Sequence, residues 1–303
     1  MLKPSADPVR DFLAAEAALP VPAVFHALAD AARARFGAPV RAVLLYGSCL
    51  RDREHRDRLV DLFVLVEDGA AGAERPILRR LGALLPPNVY HLGTRFEDGT
   101  ARAKVALVGL ARLERLVAPT TLEPYFWARL AQPVRLLWAA DPVVADRVHA
   151  LLARAVRTLL EAARPLVRVG ADPLELFERA FFETYRTELR AERPGRATSL
   201  VTADAARYEQ LGRLCLAGRP APSPADRARA IRLWARRRRR GKLRSVLRLA
   251  KAAFTFEGGA DYLVWKIERH SGERIELLPW QRRHPILAGL VLLPKLRRRG
   301  AVR

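Results

Sequence analysis

An α/β domain with a mixed sheet, followed by an all-helical domain and a basic C-terminal region, is the fold class that this 303-residue sequence predicts. Three observations carry that prediction. Short apolar runs at 40–46 and 60–66 are bounded by turn or charged residues, and they alternate with helix-like stretches up to about residue 140. From Asp141 onward helical periodicity takes over. The last segment then changes in charge: 227–251 holds 12 basic residues and no acid, and 227–303 holds 22 basic against 5 acidic residues. That segment carries 17 of the chain's 22 net positive charges. The boundaries are therefore read as 1–140, 141–225 and 226–303.

Taken in order, Ala, Val and Leu at helical spacing predict a helix over 22–36, and the runs at 40–46 and 60–66 predict two buried strands. A helix is expected over 75–85, ended by Pro86-Pro87. The stretch NVYHLGTRFEDGTARAKVALVGL (88–110) reads as two strands around Glu97-Asp98-Gly99-Thr100, since Asp-Gly between such runs signals a hairpin. PVRLLWAA (133–140) adds one strand. The helical domain, for which a winged-helix form is one arrangement, contains amphipathic stretches at 145–167, 173–192 and about 203–218. A Pro-rich junction at 219–230 separates it from the basic region.

The charge points to polyanionic partners: nucleic acid, an anionic membrane surface or a phosphorylated substrate. Cys49 and Cys215 offer neither metal-ligand spacing nor a disulfide framework, which predicts a reducing compartment. The six histidines are scattered without ligand spacing, so no structural metal is expected. The stretch MLKPSADPVRDFLAAEAALP has acids and prolines where a signal peptide needs an apolar core, and no run reaches the roughly 18 apolar residues of a membrane span. The expected location is cytoplasmic, peripheral on the inner face of the cell membrane.

One stretch carries chemistry: LLYGSCLRDREHRDRLVDLFVLVED, residues 44–68. An apolar run ends in Gly47-Ser48, a charged loop follows, and the next apolar run holds a lone acid, Asp61. Glycine lets backbone N–H groups approach an anion closely, and the serine hydroxyl adds a donor. A carboxylate on the adjacent strand could hold a Mg²⁺ that bridges phosphates. Strand, Gly-Ser turn, loop and Asp-bearing strand in that order are the signature of nucleotidyltransferase folds, although Gly-Ser also ends many buried strands and a lone Asp also serves as a cap. Broad members of that group carry two acids one residue apart, and here Leu59 stands in the first position. Glu67 and Asp68 lie some 20 Å further along a straight strand, at about 3.3 Å per residue, which favours a loop position for them.

At this point the sequence resembles a particular family, the soluble-type phosphatidate cytidylyltransferases of mitochondria and some bacteria. YGSCLRD…RLVDLFVLVED is similar to the family's Tyr-Gly-Ser-Gly turn followed by a strand with a single Asp and a trailing acidic pair. GTARAKVALVGL is similar to the strand that carries a Lys, at Lys104. YFWARLAQPVRLLW resembles the segment with an aromatic pair, Arg-Leu and a Pro-Val-basic strand. YRTELRAE, with Tyr185, Glu188 and Arg190, resembles the helical domain's pattern, and 242–272 resembles the C-terminal basic helix and glycine turn. The resemblance spans roughly residues 40–275, with two departures: Cys49 stands where the family has Gly, and GAAGAERP replaces a His-containing stretch.

The resemblance implies transfer of a cytidylyl group from CTP to phosphatidate, giving CDP-diacylglycerol and pyrophosphate, with Mg²⁺. Gly47 and Ser48 would bind the triphosphate, Asp61 the metal, and Lys104 would offset phosphate charge, though a lone strand Lys is as readily a solvated edge residue. Arg244 and Lys251 in the basic helix would contact nucleotide or lipid phosphates. The apolar run before the basic cluster in 284–303 suits an interfacial anchor. Two rivals remain: an RNA-directed nucleotidyltransferase gripping RNA with the Arg-rich tail, and a non-catalytic protein that binds anionic surfaces. Lipid is favoured over nucleic acid as the partner.

Overall fold

A computed structural model describes residues 7–52, 59–70, 80, 82, 84–97, 99–188, 195–255 and 278–280. Its strands are β1 (Val40–Tyr46), β2 (Leu59–Val66), β3 (Asn88–Phe96), β4 (Gly99–Gly109) and β5 (Val134–Ala139). Its helices are α1 (Pro8–Ala17), α2 (Ala23–Phe36), α3 (Cys49–Asp52), α4 (Leu110–Leu116), α5 (Tyr125–Leu130), α6 (Pro142–Ala163), α7 (Pro173–Tyr185), α8 (Arg196–Ala203), α9 (Ala205–Leu216) and α10 (Pro224–Thr255). The strands form one mixed sheet in the order β3-β4-β2-β1-β5, with β2 and β4 parallel and the other neighbours antiparallel. The expected strands and the hairpin at 97–100 are present, and helices follow the sheet. No strand follows β5 among the described residues, so no wing is seen there.

Period-two alternation sorts each strand between two cores. Val43, Leu45, Leu62, Val64 and Val105 pack under α2, where Phe25, Leu28 and Ala32 meet them. Ala42, Leu44, Phe63, Leu65 and Val108 face the other way, into a core shared with α1 and α5 to α9. The change of element type at Asp141 is therefore not a break in packing. Asp141 caps α6, accepting from Val144 N at 2.8 Å, with Pro142 in the first turn.

Helix α1 was not expected from the sequence. Asp7 caps it through Val9 N and Arg10 N at 3.1 and 3.0 Å, and also accepts from Arg157 Nη1 at 2.8 Å. Glu16 accepts from Arg207 Nη2 at 2.9 Å, so both ends of α1 are pinned to the helical layer. The expected helix over 173–192 ends at Tyr185. There the Thr184 and Thr187 hydroxyls donate to the carbonyls three residues back, both at 2.7 Å, and compete with helix propagation. The stretch 203–218 belongs to two helices, α8 and α9, which meet at Asp204.

The described part of the basic segment, up to Thr255, forms a single helix, α10, running from the helical layer to the sheet. Trp234 Nε1 donates to the Ala162 carbonyl at 2.8 Å, and Arg238 bonds Glu183 at 3.0 Å. Further on, Arg244 and Arg248 both pair with Glu123. Arg237, 4% exposed, lies over the rings of Trp127 and Trp234 at 4.9 and 4.8 Å, and burial lowers it to about 10. No described helix is long and apolar enough to cross a membrane. The expected helix over 75–85 is only fragmentarily described; Arg190, the glycine turn after the basic helix and the apolar run of 284–303 fall outside the described residues.

Gly241 in the middle of α10 has a specific reason: a Cβ there would meet the Thr187 carbonyl oxygen at 2.5 Å. Helix propensity alone favours Ala over Gly by about 1 kcal/mol. Gly241→Ala is expected to reverse that sign and destabilise the protein by about 1–3 kcal/mol in urea unfolding, because backbone must move to admit the methyl.

Candidate functional site

Sheet register creates the site. Asp61 on β2 lies opposite Tyr46 of β1 on one side and Lys104 of β4 on the other, and Lys104 lies opposite His91 of β3. Cross-strand partners share a face, so His91, Lys104, Asp61 and Tyr46 form one polar row across four strands. The same face is apolar two residues further along β2 and β4, at Phe63 and Ala106. The row sits where the apolar packing gives out.

Lys104 Nζ is 3.8 Å from Asp61 Oδ1, with both side chains partly exposed. Beside them β1 ends in Gly47 at φ +93°, a left-handed conformation that side chains resist. A Cβ on Gly47 would lie 3.0 Å from Asp61 Oδ2. The turn thus passes directly over the carboxylate, and half-buried Ser48 follows before α3 begins. Gly47, Ser48, Asp61 and Lys104 come together as the sequence predicts.

Residues to which the sequence reading assigned no role complete the setting. Arg129 of α5 donates through Nη1 to the Tyr125 carbonyl at 3.0 Å and to Glu188 Oε1 at 2.9 Å, and lies 3.6 Å over the Tyr125 ring. Arg248 lies over the same ring at 4.4 Å. Burial pushes the Asp61 carboxyl above its ordinary value, while Lys104 and then Arg129 pull it back in part. The Tyr46 phenol, stacked on Phe63 at 4.3 Å, is raised well above its ordinary value by burial and then by Asp61, so it stays neutral.

Two predicted contacts lie elsewhere. Arg244 pairs with Glu123, which is 5% exposed. Lys251 donates to the Leu85 and Pro87 carbonyls at 2.5 and 2.7 Å and to Asn88 Oδ1 at 3.1 Å. Burial, then Arg248, brings its ammonium down to about 8. Both cations hold α10 against the body of the fold, bonded to buried oxygens that no local pattern around 244–251 announces. Glu67 pairs with Arg41, while Asp68 accepts from Arg112 N and Arg115 Nη2, both at 3.0 Å, so neither acid joins Asp61.

Among the described residues the row offers one carboxylate, Asp61, a donor that suits a single metal ion. No group of three or more metal-ligating side chains occurs among the described residues. Mg²⁺ commonly takes one or two carboxylates and completes its shell with water and substrate phosphates. Asp61, partly buried and beside a turn without a Cβ, is a carboxylate of that kind.

No protein-family model matches this chain, and a comparison with curated proteins finds no match. Among solved structures the chain is similar to a nucleotidyltransferase-like protein from Exiguobacterium sibiricum 255-15, with 13% identity over 89% of this chain and 91% of that one, at a TM-score of 0.28. At that distance strand order and site residues have to be read from this chain's own geometry.

Two outcomes follow for the row. Because the folded-state pKa of Asp61 is raised, folding disfavours its ionised form, and stability is lost as pH rises through that pKa. Asp61→Asn should therefore be at least as stable as wild type at pH 7 in urea unfolding, with the difference shrinking below about pH 4. Gly47→Ala, strained in φ and crowded by Asp61, should lose about 1–3 kcal/mol by the same measurement.

Proposed function

We propose that this chain transfers a nucleotidyl group with the help of one divalent metal ion, and that the group is cytidylyl, passed from CTP to phosphatidate. The observation that carries the transferase reading is Asp61: a partly buried carboxylate directly under the Gly47 turn and opposite a lysine in register. The cytidylyl and lipid parts rest on the sequence resemblance and on the concentration of 17 net positive charges in 227–303. Each Lys or Arg near an anionic bilayer contributes roughly 1 kcal/mol of attraction. The setting this implies is peripheral, on the inner face of the cell membrane.

In this reading Gly47 and Ser48 cradle the triphosphate. Asp61 is the residue that would hold Mg²⁺, whose charge when bound offsets that developing on the leaving pyrophosphate. Lys104, 3.8 Å from Asp61, would neutralise phosphate oxygens. A phosphate oxygen of phosphatidate attacks the α-phosphorus of CTP; the new P–O bond forms as the α–β phosphoanhydride breaks and pyrophosphate departs. A phosphomonoester has its second pKa near 6 and needs no strong base at neutral pH. Positioning and charge neutralisation then account for the rate.

Pyrophosphate release from CTP and Mg²⁺ with phosphatidate vesicles tests this. Release should require phosphatidate and fall at least about 100-fold in Asp61→Asn, the scale of losing one preorganised charge partner. Release driven instead by RNA would move the acceptor to nucleic acid. Vesicle binding with neither acceptor active would leave a non-catalytic protein that binds anionic surfaces.

A further inference from the structure

A hollow of about 1100 Å³, half open to solvent and lined by α7, α8, α10 and the turn at 166–168, includes no residue of the Asp61 row. Eight of its lining side chains are Arg or Lys and three are Glu. The acids nearby are already engaged. Glu175 pairs with Arg168 at 3.3 Å, Glu178 accepts from the Thr198 hydroxyl at 3.2 Å, and Glu188 holds Arg129. Behind the wall, Glu183, 1% exposed, is shared by Arg179, Arg186 and Arg238 at 2.9, 3.5 and 3.0 Å. Three guanidiniums around one carboxylate leave an excess of two positive charges.

Arg196, Arg227, Arg239 and Lys242 line the same hollow, and among the described residues no carboxylate lies within ion-pair reach of any of them. Cations gathered in a concavity repel one another and focus a positive field into it. The first turn of α8, residues 195–198, also lines the hollow, with Gly195 at φ +80° and no side-chain cap; its N–H groups add to the same field. Phe182, 49% exposed, supplies an apolar wall on the same lining. The volume is on the scale of a small-molecule site.

We propose that this hollow binds a ligand with two or more phosphate-type negative charges and an apolar portion against Phe182. A soluble phosphorylated molecule and a lipid phosphate headgroup offer the same chemistry. The proposal concerns binding alone and stands whether or not the Asp61 row transfers nucleotides.

The test is calorimetric titration of the full-length protein, with EDTA present to silence metal-dependent binding at Asp61. The probes are inorganic pyrophosphate, and phosphatidylcholine vesicles with and without phosphatidate. Arg239→Ala/Lys242→Ala removes two exposed cations without ion-pair partners among the described residues and should fold; it should weaken binding at least about tenfold, as expected for charge-assisted contacts, while Asp61→Asn binds as wild type does. Pyrophosphate binding alone assigns a soluble ligand, and vesicle binding that needs both phosphatidate and these cations assigns a headgroup. The proposal is overturned if the double variant binds like wild type, if Asp61→Asn abolishes the same event, or if wild type binds neither probe. Binding of a single-stranded oligonucleotide in place of both probes would overturn it too.

Discussion

A carboxylate taken out of water costs several kcal/mol unless a cation accompanies it, and two are buried among the described residues. Glu183 and Glu123 are 1% and 5% exposed, and both are neutralised by arginines of α10. Much of the architecture follows from that requirement. The helix must run from α7 to the loop before α5, so it crosses the junction between the helical layer and the sheet, and Gly241 permits the close approach at Thr187. A run of arginines that looks like a free polycation in the sequence is therefore divided. One side is bound into the fold at Glu123, Glu183 and the tryptophans, and the other lines a hollow or faces solvent.

The same division of labour shapes the sheet. Its helical-layer face is core at Phe63, Leu65 and Val108 and polar at His91, Lys104, Asp61 and Tyr46. Arg129 stands where these surfaces meet, held by Glu188 from the end of α7 and by Tyr125 from its own helix. Arg248 rests over the same tyrosine ring. The packing of α10 and the electrostatics around Asp61 are thus joined through one aromatic side chain.

Parts of this were legible in the sequence because burial leaves a local imprint. Strands covered on both faces read as continuous apolar runs, and Gly47, Ser48 and Asp61 stand out at the ends of two of them. Helix α1 also left a signal, an Asp before a Pro at 7–8, which tests for a leader peptide pass over. Helices α4 and α5, of seven and six residues, have no side-chain cap and gave nothing local to find. Register is a long-range property: that Lys104 lies opposite Asp61 depends on a parallel pairing between strands separated by the whole of β3. Arg129 and Glu188 are 59 residues apart, and Arg244 and Glu123 are 121 apart. Pairing over such distances belongs to the tertiary structure, so α10's cations were read as reaching for ligands when several of them reach for buried oxygens.

The reach of α10 also bears on the order in which the protein can be completed. Lys251 closes onto 85–88, Arg244 and Arg248 onto Glu123, and at the other end α1 waits for Arg157 and Arg207. A chain emerging from the ribosome would hold a nearly finished sheet with Glu123 uncompensated until the last fifth of the sequence had been made. Contacts so distant in sequence slow folding and prolong exposure of unfinished surfaces. The basic helix is in this sense the closing strap of the molecule, and a nascent chain halted before it would be a substrate for chaperones more than a smaller working protein.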